Sequence, residues 1–132
     1  MDGNKQAFSK RQRVLIVENE PALVQKLQDI VETLGAMIVA PERCINDAIE
    51  ILNAGSVDVV LLDTDISIRN LSLLARSCQK KRIPFALITT YGGFTFDDPA
   101  LDTAPRLYKP LDECSVRTIV TRALHDRLAC AH

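Results

Sequence analysis

Short apolar runs alternate with stretches in which apolar residues recur every three or four positions, from residue 13 to about residue 124. Arg13-Val14-Leu15-Ile16-Val17 is a β-branched run that stops abruptly at Glu18-Asn19-Glu20-Pro21, the pattern of a strand buried on both faces. Leu23, Leu27, Ile30, Val31 and Leu34 then stripe one side of a helix over about residues 21–34, and Gly35 is placed to cap it. Residues 37–40 predict a second strand, and Ile45, Ala48, Ile49 and Leu52 a second helix closed by Gly55. Residues 57–62 give a third strand, and Leu71, Leu74, Ala75 and Cys78 a third helix. A fourth strand follows Pro84 over residues 85–88, a brief fifth covers residues 106–108, and Val116, Ile119, Val120, Ala123 and Leu124 mark the last helix.

The rhythm breaks over residues 92–105, where Gly92-Gly93, Asp97-Asp98-Pro99 and Pro105 leave no sustained helical stripe, so a short or irregular fourth helix is expected. Strands that alternate with helices predict a parallel sheet covered on both faces. A length of 132 residues with 47% hydrophobic content suffices for one core and one domain over residues 13–128, with a flexible leader at 1–12 and a tail at 129–132. Charge then narrows the function. With 16 basic against 17 acidic side chains, the chain lacks the basic excess that nucleic acid demands. Its polar start has no apolar stretch long enough for a signal peptide or membrane helix, so a cytoplasmic protein without a membrane partner is expected. Cys44, Cys78, Cys114 and Cys130 form no CxxC pair, which points to reduced thiols rather than zinc or disulfides.

In an open parallel sheet, ligands bind in the crevice outside the carboxyl ends of the strands. The chemically informative residues fall there: Glu18 and Asn19 after the first strand, Asp63 after the third, Thr89 and Thr90 after the fourth, and Lys109 after the fifth. The set suits phosphoryl transfer to a carboxylate, a reaction catalysed by positioning and charge neutralisation. Asp63 is the candidate nucleophile, Glu18 with Asp63 the candidate holders of a hard divalent cation such as Mg²⁺, and Thr89 and Lys109 the candidate phosphoryl contacts. These side chains are expected to converge in one shallow acidic pocket with Asp63 open to solvent. Thr90 reads as an ordinary strand residue, and His125 and His132 as solvated.

The segments RVLIVENEP, VDVVLLDTDIS and LYKPLD resemble the first strand and acidic loop, the phosphoacceptor segment and the Lys-Pro segment of response-regulator receiver domains, in order and spacing. The resemblance runs from Arg13 to about Leu124. It implies a flavodoxin-like doubly wound sheet of strand order 2-1-3-4-5, with the acceptor at Asp63, the hydroxyl at Thr89 and the lysine at Lys109. The metal set it implies is Glu18, Asn19, Asp63 and the backbone carbonyl of Asp65. The implied partner is a histidine kinase, with a phosphotransfer or target protein downstream. Such a chain is a signalling domain that assists its own phosphorylation, not an enzyme in its own right.

Three departures stand out. The usual pair of acids after the first strand is Glu18-Asn19 here; an amide carbonyl ligates Mg²⁺ without charge and weakens its affinity. IPFALITTYGG resembles the PFxFATGY motif of single-domain receivers, which implies a kinase of the HWE/HisKA2 type, although Ile88 and Thr90 stand where that motif has Ala and Gly. Arg106 occupies the place, three residues before the lysine, of the aromatic side chain that often reports phosphorylation, so the expected switch is an ordering of residues 92–104. The chain ends soon after the last helix, and a stand-alone receiver is therefore expected. The rival is a degenerate receiver used as a phosphorylation-independent binding module. No Gly-rich phosphate loop follows the first strand, which argues against a small flavodoxin-like enzyme or flavin carrier.

Overall fold

Five parallel strands form one sheet in the order β2-β1-β3-β4-β5, with β1 at Arg13–Val17, β2 at Met37–Glu42, β3 at Val59–Asp63, β4 at Phe85–Thr89 and β5 at Arg106–Tyr108. The helices are α1 Pro21–Thr33, α2 Ile45–Asn53, α3 Leu71–Lys80, α4 Pro99–Asp102 and α5 Glu113–Cys130. This is a computed structural model, and it describes residues 12–42, 45–55, 57–65, 71–90 and 96–130. The strand order is the one the family resemblance implies. The leader through residue 11, Cys44, Tyr91, Gly92, Gly93 and His132 lie outside the described residues.

Alternate residues of each strand enter opposite cores. Val14, Ile16, Val59, Leu61, Ala86, Ile88 and Leu107 pack with α1 and α5, while Leu15, Val17, Val60, Leu62 and Leu87 pack with α2, α3 and Leu101 of α4. With both faces buried, a slip of one residue would exchange every side chain between the cores, so the register is tightly fixed. That register pairs Val17 with Leu62, Asp63 with Ile88, and Thr89 with Tyr108, which brings the ends of β1, β3, β4 and β5 to one rim.

Element ends differ from the sequence expectation where a polar side chain intervenes. Val57 is buried, yet β3 begins only at Val59; just ahead of it the Asp58 N–H donates to Arg13 O at 2.8 Å, and the Asp58 carboxylate accepts from the Arg13 N–H at 2.8 Å and from Arg127 Nε at 3.4 Å. The doubtful fourth helix is a single turn: Asp98 caps it by accepting from the Ala100 N–H at 3.0 Å, and Leu101 anchors it in the core. Among the described residues no helix is long and apolar enough to cross a membrane. Cys78 is buried, which pushes its thiol up to about 12, whereas Cys114 is exposed.

Two helices end alike with unlike residues. After α1, Gly35 takes φ +88° while the Ala36 and Gly35 N–H groups donate to Val31 O and Glu32 O at 3.2 and 3.0 Å. After α3 the same pair of bonds runs from Ile83 to Cys78 O and from Arg82 to Gln79 O, at 2.8 and 3.1 Å, but the left-handed residue is Arg82 at φ +58°. Its Cβ crowds the following carbonyl, which costs about 1–2 kcal/mol, partly offset by the lower chain entropy of a non-glycine. Arg82→Gly should therefore raise stability by about 0.5–1 kcal/mol in urea unfolding. An unchanged or lowered midpoint would contradict this strain.

Candidate functional site

The site is built at the rim where four strands end. Asp63, the last residue of β3, turns its carboxylate into the crevice: Oδ1 accepts from the Asp65 N–H at 2.8 Å and Oδ2 from Lys109 Nζ at 3.0 Å. Glu18 follows β1 directly, is buried, and has Oε2 fixed by the Glu20 N–H at 3.1 Å. Its carboxyl lies within hydrogen-bonding reach of Asp63, while its Oε1 is buried with no donor among the described residues. Lys109 follows β5 with its backbone N–H on Thr89 O at 2.9 Å, and the Lys109-Pro110 peptide is cis. Thr89 closes β4 and is buried beside the acceptor strand.

Burial and a neighbouring carboxylate together perturb Glu18. Burial raises the Glu18 carboxyl, and the hydrogen bond and negative charge of Asp63 raise it further, to about 7, against the pull of the Glu20 N–H and Lys109. Desolvation lowers the Lys109 ammonium, but bonds to Asp63 and Asp65 and the charge of Glu18 outweigh it and leave the group above its ordinary value.

Glu18, Asp63 and Lys109 thus meet, and Thr89 stands at the adjoining strand end. Asn19 differs: it is exposed, and among the described residues its side chain makes no hydrogen bond. The expectation of a shallow, open pocket is corrected. Asp63 is only 1% and Glu18 only 2% exposed, and Lys109 Nζ and the Asp65 N–H are both held against the Asp63 carboxylate. Lys109 also lines a neighbouring groove of about 510 Å³, together with Leu23, Lys26, Thr90 and Pro110.

The sequence reading missed two contributors. Thr90 is not an idle strand residue, since its hydroxyl donates to Asp65 Oδ2 at 3.0 Å, the oxygen that also accepts from Lys109 at 3.3 Å. Lys26 of α1 donates to Leu111 O and so pins the loop that carries Lys109. Nothing in the sequence pairs Asp65 with a hydroxyl that follows a different strand. A lysine bound to a backbone carbonyl leaves no partner to find in the sequence.

The corner also meets the demands of a hard cation in part. A buried carboxylate oxygen without a donor, facing a second carboxylate, is an oxygen site short of positive charge. Among the described residues no third acidic, histidine or cysteine side chain joins it, consistent with the amide at Asn19. Farther along, Arg106 is not free to swing as an aromatic switch would. Its Nη2 donates to Asp102 Oδ1 at 3.1 Å and its guanidinium lies 5.3 Å from the Phe96 ring centre.

This sheet order, with helices on both faces, is the fold of response-regulator receiver domains. A receiver protein from Sinorhizobium medicae superposes with a TM-score of 0.77 at 19% identity, over 90% of this chain and 98% of its own. The receiver domain of the PhyR response regulator from Erythrobacter litoralis gives 0.71 at 27% identity, over 89% and 92%. In sequence, the sensory transduction protein LytT of Bacillus anthracis is 29% identical over 104 residues, 76% of this chain. The chain spans 42% of that relative's length. No protein-family model matches the sequence.

Proposed function

We propose that this chain is a receiver domain that takes a phosphoryl group on Asp63 from the phosphohistidine of a histidine kinase and presents the altered rim to protein partners. The observation that carries the reading is the Asp63 carboxylate held between the Lys109 ammonium at 3.0 Å and the Glu18 carboxyl, at the carboxyl end of a parallel sheet. In the transfer, the donor's N–P bond breaks as an Asp63 Oδ–P bond forms. The electron pair stays on the imidazole nitrogen, which takes a proton from solvent.

Lys109 then serves the oxygens of the transferred group, and Thr89 supplies a hydroxyl at the neighbouring strand end. Glu18, Asp63, the Asn19 amide and the Asp65 carbonyl are the residues to hold Mg²⁺, whose part is to neutralise charge on phosphoryl oxygens. A donor kinase of the HWE/HisKA2 type is the finer reading, and it rests on IPFALITTYGG alone.

Acetyl phosphate with Mg²⁺ should add the mass of one phosphoryl group to the wild type and none to Asp63→Asn. Equal modification of both would reject Asp63 as the acceptor. Asn19, exposed and uncharged, favours the second reading of an inert binding module. Metal titration separates the two: binding of Mg²⁺ or Mn²⁺ that disappears in Asp63→Asn supports the acceptor, and no binding at millimolar metal supports the module.

A further inference from the structure

We infer that the Asp65 side chain, tied to Thr90, is a positioning residue that draws the Lys109 ammonium across the mouth of the acceptor pocket and so slows both entry and loss of a phosphoryl group at Asp63. The inference rests on the reading of Asp63 as acceptor. It begins from a conflict: a nucleophile must be reached, yet Asp63 is 1% exposed. The groups gathered at it are polar. Lys109 Nζ stands 3.0 Å from Asp63 Oδ2 and 3.3 Å from Asp65 Oδ2, and Thr90 Oγ1 stands 3.0 Å from that same Asp65 oxygen.

One carboxylate oxygen therefore gathers two donors and joins the turn after β3, the residue after β4 and the residue after β5 in a strap. Its parts differ from the acids beneath. Asp65 and Thr90 are exposed and Lys109 is partly so, which means the strap is held by solvent-screened charge and hydrogen bonds, weak enough to open repeatedly.

Two chemical consequences follow for the acceptor. Lys109 donors spent on Asp65 are not available to phosphoryl oxygens, and the Asp65 charge faces an incoming dianion. The same closure keeps water from the Asp63 Oδ–P bond, whose hydrolysis returns the carboxylate and inorganic phosphate. The strap thus holds back both directions.

Thr90→Val removes the hydroxyl at nearly constant shape, and Thr90→Ser restores it without touching either acid. With acetyl phosphate and Mg²⁺, Thr90→Val should gain and lose the phosphoryl group roughly three- to tenfold faster than wild type, the effect of one modest hydrogen bond on a barrier. Thr90→Ser should match wild type, and the half-saturating Mg²⁺ concentration should be unchanged in both. A merely structural threonine would not give rescue by serine together with faster chemistry. If the wild type is modified at Asp63 and Thr90→Val reacts at the same rate or more slowly, this inference is overturned while the acceptor reading stands. A wild type that takes no phosphoryl group overturns the acceptor reading, and the strap's role with it.

Discussion

Lys109→Met should destabilise the metal-free fold by about 2 kcal/mol at pH 8 and by much less at pH 5, as read from urea unfolding in chelator. The ammonium is the cation bonded directly to Asp63, whose side chain is 2% exposed, and it also holds Asp65. Methionine keeps the length and apolar stem of the side chain but removes its charge. What remains is a buried carboxylate that has lost its counterion, beside Glu18. Removing one partner of a fully buried ion pair costs about 3–5 kcal/mol. The lysine keeps 22% of its side-chain surface exposed, so water and ions already share its charge and the smaller figure applies.

The pH dependence gives this prediction its discriminating power. Lys109 lowers the Glu18 carboxyl, so its loss should push that group above about 7. At pH 5 the variant then carries one proton on its acid pair, and little uncompensated charge is left to destabilise it. A destabilisation equal at both pH values would mean that packing, not charge, is what Lys109 supplies.

How far the sequence spoke for itself varies with the interaction concerned. Strands and the long helices were legible because burial on two faces imposes continuous apolar runs in β3 and β4, and one-sided burial imposes the stripe of α1. The placement of Glu18, Asp63, Thr89 and Lys109 at one rim followed from topology, because parallel strands all end on the same side. Covering of the acceptor did not follow. The contacts among Asp65, Thr90 and Lys109 beside it join three loops, and nothing in the local pattern of any one loop specifies them. The short α4 was illegible for another reason: Asp98, Leu101 and the Arg106 pair with Asp102 hold it by individual contacts rather than by a periodic face.

Glu18→Gln should make the metal-free protein more stable at pH 8 by about 2 kcal/mol, with the difference vanishing near pH 4.5. The direction follows from proton binding. Glu18 has an ordinary value of 4.5 and is raised to about 7 in the folded chain, so the native state holds this proton more tightly than the unfolded state. Wild-type stability must then fall as pH rises from 4.5 to 7, by at most about 3 kcal/mol and by less where the two acids share the strain. Glutamine does not titrate, and its amide supplies a donor where two carboxyls now face each other, so the slope should be lost along with the penalty. Mg²⁺ should oppose this difference by stabilising the wild type and not the variant, as any ligand of the native state does. A carboxyl that weakens the fold at neutral pH has no rationale in packing, and its cost becomes intelligible where a cation and a phosphoryl group are to be held. Urea midpoints that stay flat for wild type between pH 4.5 and 8 would remove that argument, because Glu18 would then be an ordinary exposed acid in all but position.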